Sequence, residues 1–593
     1  MKKSLFSLSL VALALSSVAA SAQEYPSRYM DDSAKLVTAP NGAVINAEVL
    51  QVMPQNVYTE KTIEKVTDGV WVVGGLSIAN ATVIEAPDGL IVYDTGDYAE
   101  EGKHIREIIE KEISKKPIKA IIYSHSHYAL GGGAMVDDPS KVTIIGHEKL
   151  NDTVKENLQS GGLKATIPEL GPVMSARAAI QFSTFLPAEG KDAGLAGKLE
   201  FKEPAFLPVN RTVKNGETVN VAGLDIQFFT DYKSDDYSVT AWIPSKKVVM
   251  NNFFWPGTVN LYSLRGASYR DPQEWRDALT LMRDLKPEYL VSTHTRAVKG
   301  AKKVSDTLIN YSDMITLTYD QALRGILKGL GPDELRYFVY KPKHLADAAY
   351  NKESYGESYW YTPATFYEGL GWYDRDATKL YQLPKKEEST RLVKLMGGED
   401  KVIAAAKDAY DNNEYAWSAQ LVNHVYLINP NNQEARQLKA DSLRKLGQIS
   451  VSSIGRSFTI SEARALEGLE TIPKVLPPKA EVVAADPDTY LNYHRVRIDP
   501  KKSENVDKML AFNFGEKTVG LHVRRGVAEY VENISRHYQK PDIELSMDGS
   551  TWARIYLNQS DLATELTNGK AKVTKGSDKE AIQILNLFDK FEQ

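Results

Sequence analysis

The chain has 593 residues, of which 42% are hydrophobic and 25% charged, with 39 Gly, 26 Pro, no Cys and a formal charge of −5. These proportions exclude a disordered or collagen-like chain, and at roughly 150 residues per domain the length allows about four domains. Lack of Cys excludes a disulfide scaffold, a thiolate metal site and a thiol nucleophile, so a tightly held metal has to use His, Asp or Glu. The absence of a basic excess argues against a nucleic-acid partner.

Lys2 and Lys3, the apolar run from Leu5 to Ala14 and the small residues ending Ala20-Ser21-Ala22 read as a secretory signal over residues 1–22. That reading puts the mature protein in the periplasm or outside the cell. No later run approaches 18 apolar residues, so no membrane span is expected.

Residues 23–65 form an N-terminal arm, and from 66 to 300 short β-rich runs alternate with amphipathic segments. The expected strands are Val70–Val73, Ala81–Ile84, Leu90–Tyr93, Ile118–Tyr123, Val219–Phe229, Tyr237–Ile243 and Val248–Asn251. Ile105, Ile108-Ile109 and Ile113 recur at helical spacing, and a further helix is expected over Gln273–Leu285. Strands joined partly by hairpins and partly by helices predict an α/β sandwich.

Residues 301–478 read as a helical domain. Nine aromatics crowd 350–373, including Tyr359-Trp360-Tyr361 and Trp372-Tyr373, and read as a buried joint ahead of a substrate-lining patch. Trp417, Leu421, Val425 and Ile428, the turn Asn429-Pro430-Asn431-Asn432, then Ala435, Leu438 and Leu443 resemble one tetratricopeptide-like hairpin without a second copy. The Pro-rich stretch Ile472–Pro478 marks a boundary. Beyond it, Val519, Leu521 and Val523, then Ile543, Leu545 and Met547, alternate with polar residues, and helical patterns follow, so 479–593 reads as a small α+β domain.

The sharpest chemical signal is Ser124-His125-Ser126-His127-Tyr128-Ala129-Leu130-Gly131-Gly132, directly after a strand. Two imidazoles at i and i+2 in a tight loop can address one metal ion, and imidazole suits zinc. His147 also follows a strand and reads as structural. Gly197-Lys198 is followed by Leu199, so it is no phosphate-binding loop, and no Gly-x-Ser-x-Gly elbow occurs.

The His loop resembles the His-x-His-x-Asp-His motif of the metallo-β-lactamase superfamily, and Val92-Tyr93-Asp94-Thr95-Gly96 resembles that superfamily's strand-end Asp. Asn260-Leu261-Tyr262-Ser263-Leu264-Arg265-Gly266-Ala267 is similar to the Asn-Leu-Tyr-Thr-Leu-Arg-Gly-Ala signature of the linear primary alkylsulfatases. Gly371-Trp372-Tyr373-Asp374 and Met396-Gly397-Gly398 extend the likeness over nearly all of the mature chain. The resemblance implies a metallo-β-lactamase αββα sandwich, an all-α dimerisation domain and a sterol-carrier-like C-terminal domain, with two zinc ions hydrolysing an alkyl sulfate to alcohol and sulfate. It also implies a homodimer.

Carried over residue by residue, His125, His127 and His294 match three of the family's seven metal ligands. Ala129 and Leu130 replace the motif's Asp and His, Ser234 stands at the first Glu, and Asn252 (or Asn251) at the bridging Glu. Val259 replaces the family's acid-catalytic His. Two divalent ions ~4 Å apart repel strongly and need anionic bridges, so one zinc is expected ahead of two, or none. Asp235 and Asp236 first read as a solvated turn, with Asp235 as the candidate replacement ligand. Arg265, Ser263, Asn260 and Tyr262 are the candidate sulfate contacts, and Phe253-Phe254-Trp255-Pro256 lines an alkyl tunnel or fills vacated space.

Three functions follow: a sulfate-ester hydrolase with a reduced or rearranged metal site, a catalytically degenerate dimer that binds amphiphiles or anions, or another ester hydrolase of the same fold. An amphiphilic sulfate ester or similar small anion is the expected partner.

Overall fold

The computed structural model describes residues 34–159, 165–195 and 202–591. The signal segment expected at 1–22 lies outside the described residues. Two facing sheets organise the first half of the chain. One has seven strands in the order Thr62–Thr67, Val70–Gly74, Ala81–Ala86, Gly89–Tyr93, Ile118–Ile122, Thr143–Gly146 and Arg211–Thr212. The first four strands are antiparallel, and the last three add parallel to Gly89–Tyr93. The other has six strands, Thr218–Val221, Leu224–Phe229, Thr240–Ile243, Val248–Asn251, Tyr289–Ser292 and Val298–Lys299, with one parallel pair between Val248–Asn251 and Tyr289–Ser292.

Side chains alternate across a strand, so an apolar run buries both faces. Val70, Val72, Ile91 and Tyr93 turn inward against Ile226, Phe228, Val248 and Met250 of the second sheet. Val73, Val83, Leu90 and Val92 turn outward beneath Ile105, Ile108 and Val154 of the covering helices. On the far side, Trp242, Val249 and Leu290 lie under Trp275, Leu279 and Met282 of the helix Pro272–Asp284. The result is the expected four-layer αββα sandwich.

One expected strand proves to be two. Val219–Phe229 breaks at Ala222-Gly223, both left-handed (φ 50° and 86°), and Val221 pairs directly with Leu224 across this two-residue turn. Backbone twist favours such a turn between antiparallel strands, but Ala at its first position hides the usual Asn-Gly or Asp-Gly signal.

The long helix Ala301–Leu327 leads into the helical region. Helices Glu399–Asp411, Tyr415–Ile428, Gln433–Ile449 and Ser453–Leu466 each pack on the next, so the expected single hairpin is part of a longer stack. Its last two members escape an apolar pattern because they bury polar groups. Arg444 clamps Asp192 with Nε and Nη2 at 2.9 and 3.2 Å, and Arg456, almost wholly buried, donates to the carbonyls of Val44, Lys191 and Ala193. These contacts dock the stack on the N-terminal half. The aromatic cluster divides: Tyr361 and Phe366 are buried and Tyr350 packs on Phe254, whereas Trp372 is 65% exposed.

The C-terminal region is a five-stranded sheet ordered Val527–Val531, Thr518–Arg524, Asp507–Asn513, Ile543–Met547, Ala571–Lys575, with Trp552 and Tyr556 of the helix Gly549–Tyr556 in its core. This agrees with the expected α+β class. Among the described residues no helix is long and apolar enough to cross a membrane.

Candidate active site

The His loop leaves the strand Ile118–Ile122 at the strand ends, where the two sheets face each other. The adjoining strand end holds it in place. Ser124 N donates to Asp94 Oδ1 at 2.8 Å, Thr95 N and Oγ1 both donate to the Tyr128 carbonyl, and Gly96 bridges Ala129. Asp94 adopts φ 65°, and burial pushes its carboxyl up to about 8. Gly131 is required by contact: a Cβ there would lie 2.1 Å from the Thr95 carbonyl oxygen. Val239, just ahead of the second-sheet strand Thr240–Ile243 whose expected start is Tyr237, donates its N–H to the Ser124 carbonyl at 2.7 Å.

This scaffold brings His125, His127 and Asp235 together, with one ligand atom of each within 4.8 Å of the others. Asp235 Oδ2 is 3.3 Å from His127 Nδ1 and Oδ1 is 3.7 Å from His125 Nε2. Burial would raise the Asp235 carboxyl, but His127, His125 and Arg270 together hold it well below the usual carboxylate range. Burial keeps the His125 imidazole well below its ordinary value, hence neutral. A neutral imidazole and an ionised carboxylate are the forms that bind a divalent cation.

The solvated turn expected for Asp235-Asp236 is therefore incorrect. The segment is a tight bridge between Lys233 and Tyr237 that turns Asp235 inward, and Tyr237 N donates to Asp236 Oδ1 at 2.6 Å. His294 does not join the cluster. Tyr128 stands edge-on to both His125 and His294, at 4.9 and 5.3 Å between ring centroids. His294 packs on Trp255 at 4.3 Å, its buried Nε2 has no hydrogen-bond partner, and burial lowers it to about 4.

The donor set fits one divalent ion and does not fit two. Ala129 cannot ligate, and Asn252 donates from Nδ2 to Ser234 Oγ at 2.8 Å, a neutral pair where a bridging carboxylate would be needed. Asn251 serves the turn instead, accepting from the amides of Phe253 and Phe254.

A cavity of about 620 Å³ opens over this cluster. His127, Asp235, His294, Asn260, Arg265 and Arg270 supply polar wall, and Leu76, Ile78, Leu130, Val154, Leu158 and Phe182 supply apolar wall. Arg265 donates from Nη1 to the Gly266 carbonyl and to Met174 Sδ, but its buried Nε has no partner. Burial, then repulsion from Arg270, lowers the guanidinium to about 10. Of the expected sulfate contacts, Asn260 and Arg265 reach the cavity. Ser263 and Tyr262 are not on its wall, and the buried Ser263 hydroxyl donates to Gln181 Oε1 at 3.1 Å, supporting the Arg265 loop from behind. The aromatic run divides too: Phe253 and Phe254 are core, Trp255 and Pro256 line the cavity.

Sequence reasoning missed Arg270. Its Nη1 donates to the Asn260 carbonyl at 2.6 Å and its Nη2 lies 3.8 Å from Asp235 Oδ2. The only local signal was its place just before the capped helix at Asp271-Pro272.

A His-x-His loop at the strand ends of a two-sheet αββα sandwich defines a metallo-β-lactamase-fold protein, and residues 74–152 match the metallo-beta-lactamase superfamily. Residues 332–468 match the alkyl sulfatase dimerisation family and 478–593 the alkyl sulfatase C-terminal family. A linear primary-alkylsulfatase of Pseudomonas sp. is 33% identical over 477 residues, covering 76% of this chain and 88% of the relative. An (R)-specific secondary-alkylsulfatase of Pseudomonas sp. is 29% identical over 543 residues, covering 88% and 79%. The solved stereoselective inverting sec-alkylsulfatase Pisa1 from Pseudomonas sp. shares the fold, with a TM-score of 0.74 at 24% identity over 96% of this chain and 95% of that one. The chain belongs to the alkylsulfatase family.

Proposed function

We propose that the protein hydrolyses alkyl sulfate esters to alcohol and sulfate, using one zinc ion held by His125, His127 and Asp235. The observation that carries this reading is the pair of buried arginines at the cavity. Arg265 and Arg270 are 7% and 3% exposed, and the acid paired with them is Asp235, 3.8 Å from Arg270. Buried positive charge without enough acid partners calls for an anion.

Each arginine offers a planar fork suited to sulfate oxygens. Leu76, Ile78, Val154 and Leu158 accept the alkyl chain and exclude water from it. When bound, the ion supplies Lewis acidity and the means to activate water. Neutral His294 presents Nε2 for a hydrogen bond to the ester's bridging oxygen, while Tyr128 and Trp255 fix its ring.

The Asn252–Ser234 pair favours a second reading, a dimeric amphiphile- or anion-binding protein without turnover. Zinc-loaded protein incubated with dodecyl sulfate separates the two. Release of inorganic sulfate and dodecanol, lost in His127→Ala, is expected. Saturable dodecyl sulfate binding without sulfate release would replace the first reading by the second.

The homodimer is part of the proposal. The match to the dimerisation family supports it, as do the exposed Leu327, Tyr381 and Leu395, apolar surface suited to a second copy. Export to the periplasm or beyond is also part of it, supported by Lys2-Lys3, the apolar run and Ala20-Ser21-Ala22.

A further inference from the structure

We propose that the C-terminal domain carries a separate site for a divalent transition-metal cation, held by His522, Glu529 and His537. One ligand atom from each of the three lies within 4.8 Å of the others. The sheet register makes part of this arrangement. His522 on Thr518–Arg524 is the direct cross-strand partner of Glu529 on Val527–Val531, and the short turn Ile534–Arg536 returns His537 to the same place.

Both imidazoles are built in. His522 is fully buried and the His537 side chain is 7% exposed, with ring centroids 5.1 Å apart. His537 Nε2 is buried, has no hydrogen-bond partner and lies 4.0 Å from Glu529 Oε2. Its Nδ1 sits 3.3 Å from the Gln539 carbonyl oxygen and 3.1 Å from the Gln539 amide, so the ring is held in either tautomer. The tautomer that donates Nδ1–H to the carbonyl leaves the Nε2 lone pair free for a metal. His522 Nε2 faces Asp507 Oδ1 at 2.9 Å, the carboxylate-on-histidine arrangement that orients metal-ligating imidazoles and leaves Nδ1 as donor.

The cluster already holds a positive group. Arg524 Nη1 lies 3.2 Å from His522 Nδ1, 3.3 Å from Glu529 Oε2 and 2.6 Å from the Tyr538 hydroxyl. This half-exposed guanidinium occupies the position of the proposed ion and swings out to solvent when the ion binds. Two imidazoles and one carboxylate are a zinc-type set, with a fourth position for Tyr538 or solvent.

The test is zinc stoichiometry by equilibrium dialysis on full-length protein stripped with a chelator. His537→Gln, shown to be folded by circular dichroism, is expected to bind one zinc equivalent fewer than wild type. His125→Ala/His127→Ala is expected to retain one equivalent that His537→Gln then abolishes. Arg524→Gln is expected to tighten this equivalent at least threefold, because the competing cation is gone. Equal stoichiometry and affinity in wild type and His537→Gln overturns the proposal, as does zinc binding that Arg524→Gln leaves unchanged or weakens.

Discussion

Arg270 and Asp235 form the polar hinge of the cavity: Nη2 of the arginine lies 3.8 Å from Oδ2 of the aspartate, whose carboxylate also faces His127 at 3.3 Å. The carboxylate is thus shared between a fixed cation and the place proposed for a metal ion. Asp235→Asn keeps the shape and removes the only anion of that ligand set. Measured in a His537→Gln background, so that one site is read, its zinc affinity is expected to fall more than tenfold, above about 1.4 kcal/mol. Unchanged zinc affinity would remove Asp235 from the ligand set.

Arg265 has a buried Nε without a partner, so it has hydrogen-bonding capacity to give to an anion. Charge-assisted hydrogen bonds contribute roughly 1.5–3 kcal/mol each. Arg265→Gln is therefore expected to weaken dodecyl sulfate binding by about 10- to 100-fold by calorimetry. It also removes the repulsion from Arg270, so the melting temperature is expected to hold or rise. A drop in melting temperature with binding intact would mark Arg265 as a loop anchor only.

His494 in the C-terminal core stacks on Phe588 at 4.6 Å, meets Trp552 edge-on and leaves Nδ1 without a partner. Burial, then Arg497, drives its imidazole well below the ordinary value. The folded state therefore takes up this proton less readily than the unfolded chain, whose His titrates near 6.5. The stability that this group contributes is full above about pH 6.5 and is lost as pH falls below it, by about 1.4 kcal/mol per unit for one proton. Denaturation of wild type and His494→Phe between pH 7 and 5 is expected to show the shallower dependence in the variant. Parallel curves would mean that His494 protonates in the fold.

Leu327, Tyr381 and Leu395 are 88%, 91% and 83% exposed. Acidic substitutions at the three are expected to turn the proposed dimer into a monomer of about half the mass by sedimentation velocity, without loss of helicity. A mass unchanged by all three would place the dimer contact elsewhere.

Much of the sandwich is legible because its strands are apolar on both faces and end at turns. Val248–Asn251 matches its expected bounds, and the helix Pro272–Asp284 is announced by an Asp cap and Pro at its first position. The helices after residue 433 are harder to read, since Arg444, Arg456 and Ser457 are buried through hydrogen bonds and salt bridges that a pattern of apolar residues cannot register. At the site, His125 and His127 are visible from spacing alone. Asp235 and Arg270 owe their places to where two loops fold back, information that resides in tertiary contacts.

The Pro-rich stretch that read as a boundary is also a wall. Leu476, Pro477 and Pro478 line the cavity with Val482, and Leu476 N donates to the Pro172 carbonyl at 2.8 Å. Pro172 lies in the helix Gly171–Gln181, whose last residue accepts from Ser263 Oγ and from the Arg265 backbone N–H. The cavity is therefore unfinished on a growing polypeptide until Val482 has been added. During synthesis the two sheets and the His loop come first, and the cavity wall is completed only after the helical stack ending at Leu466 has been made.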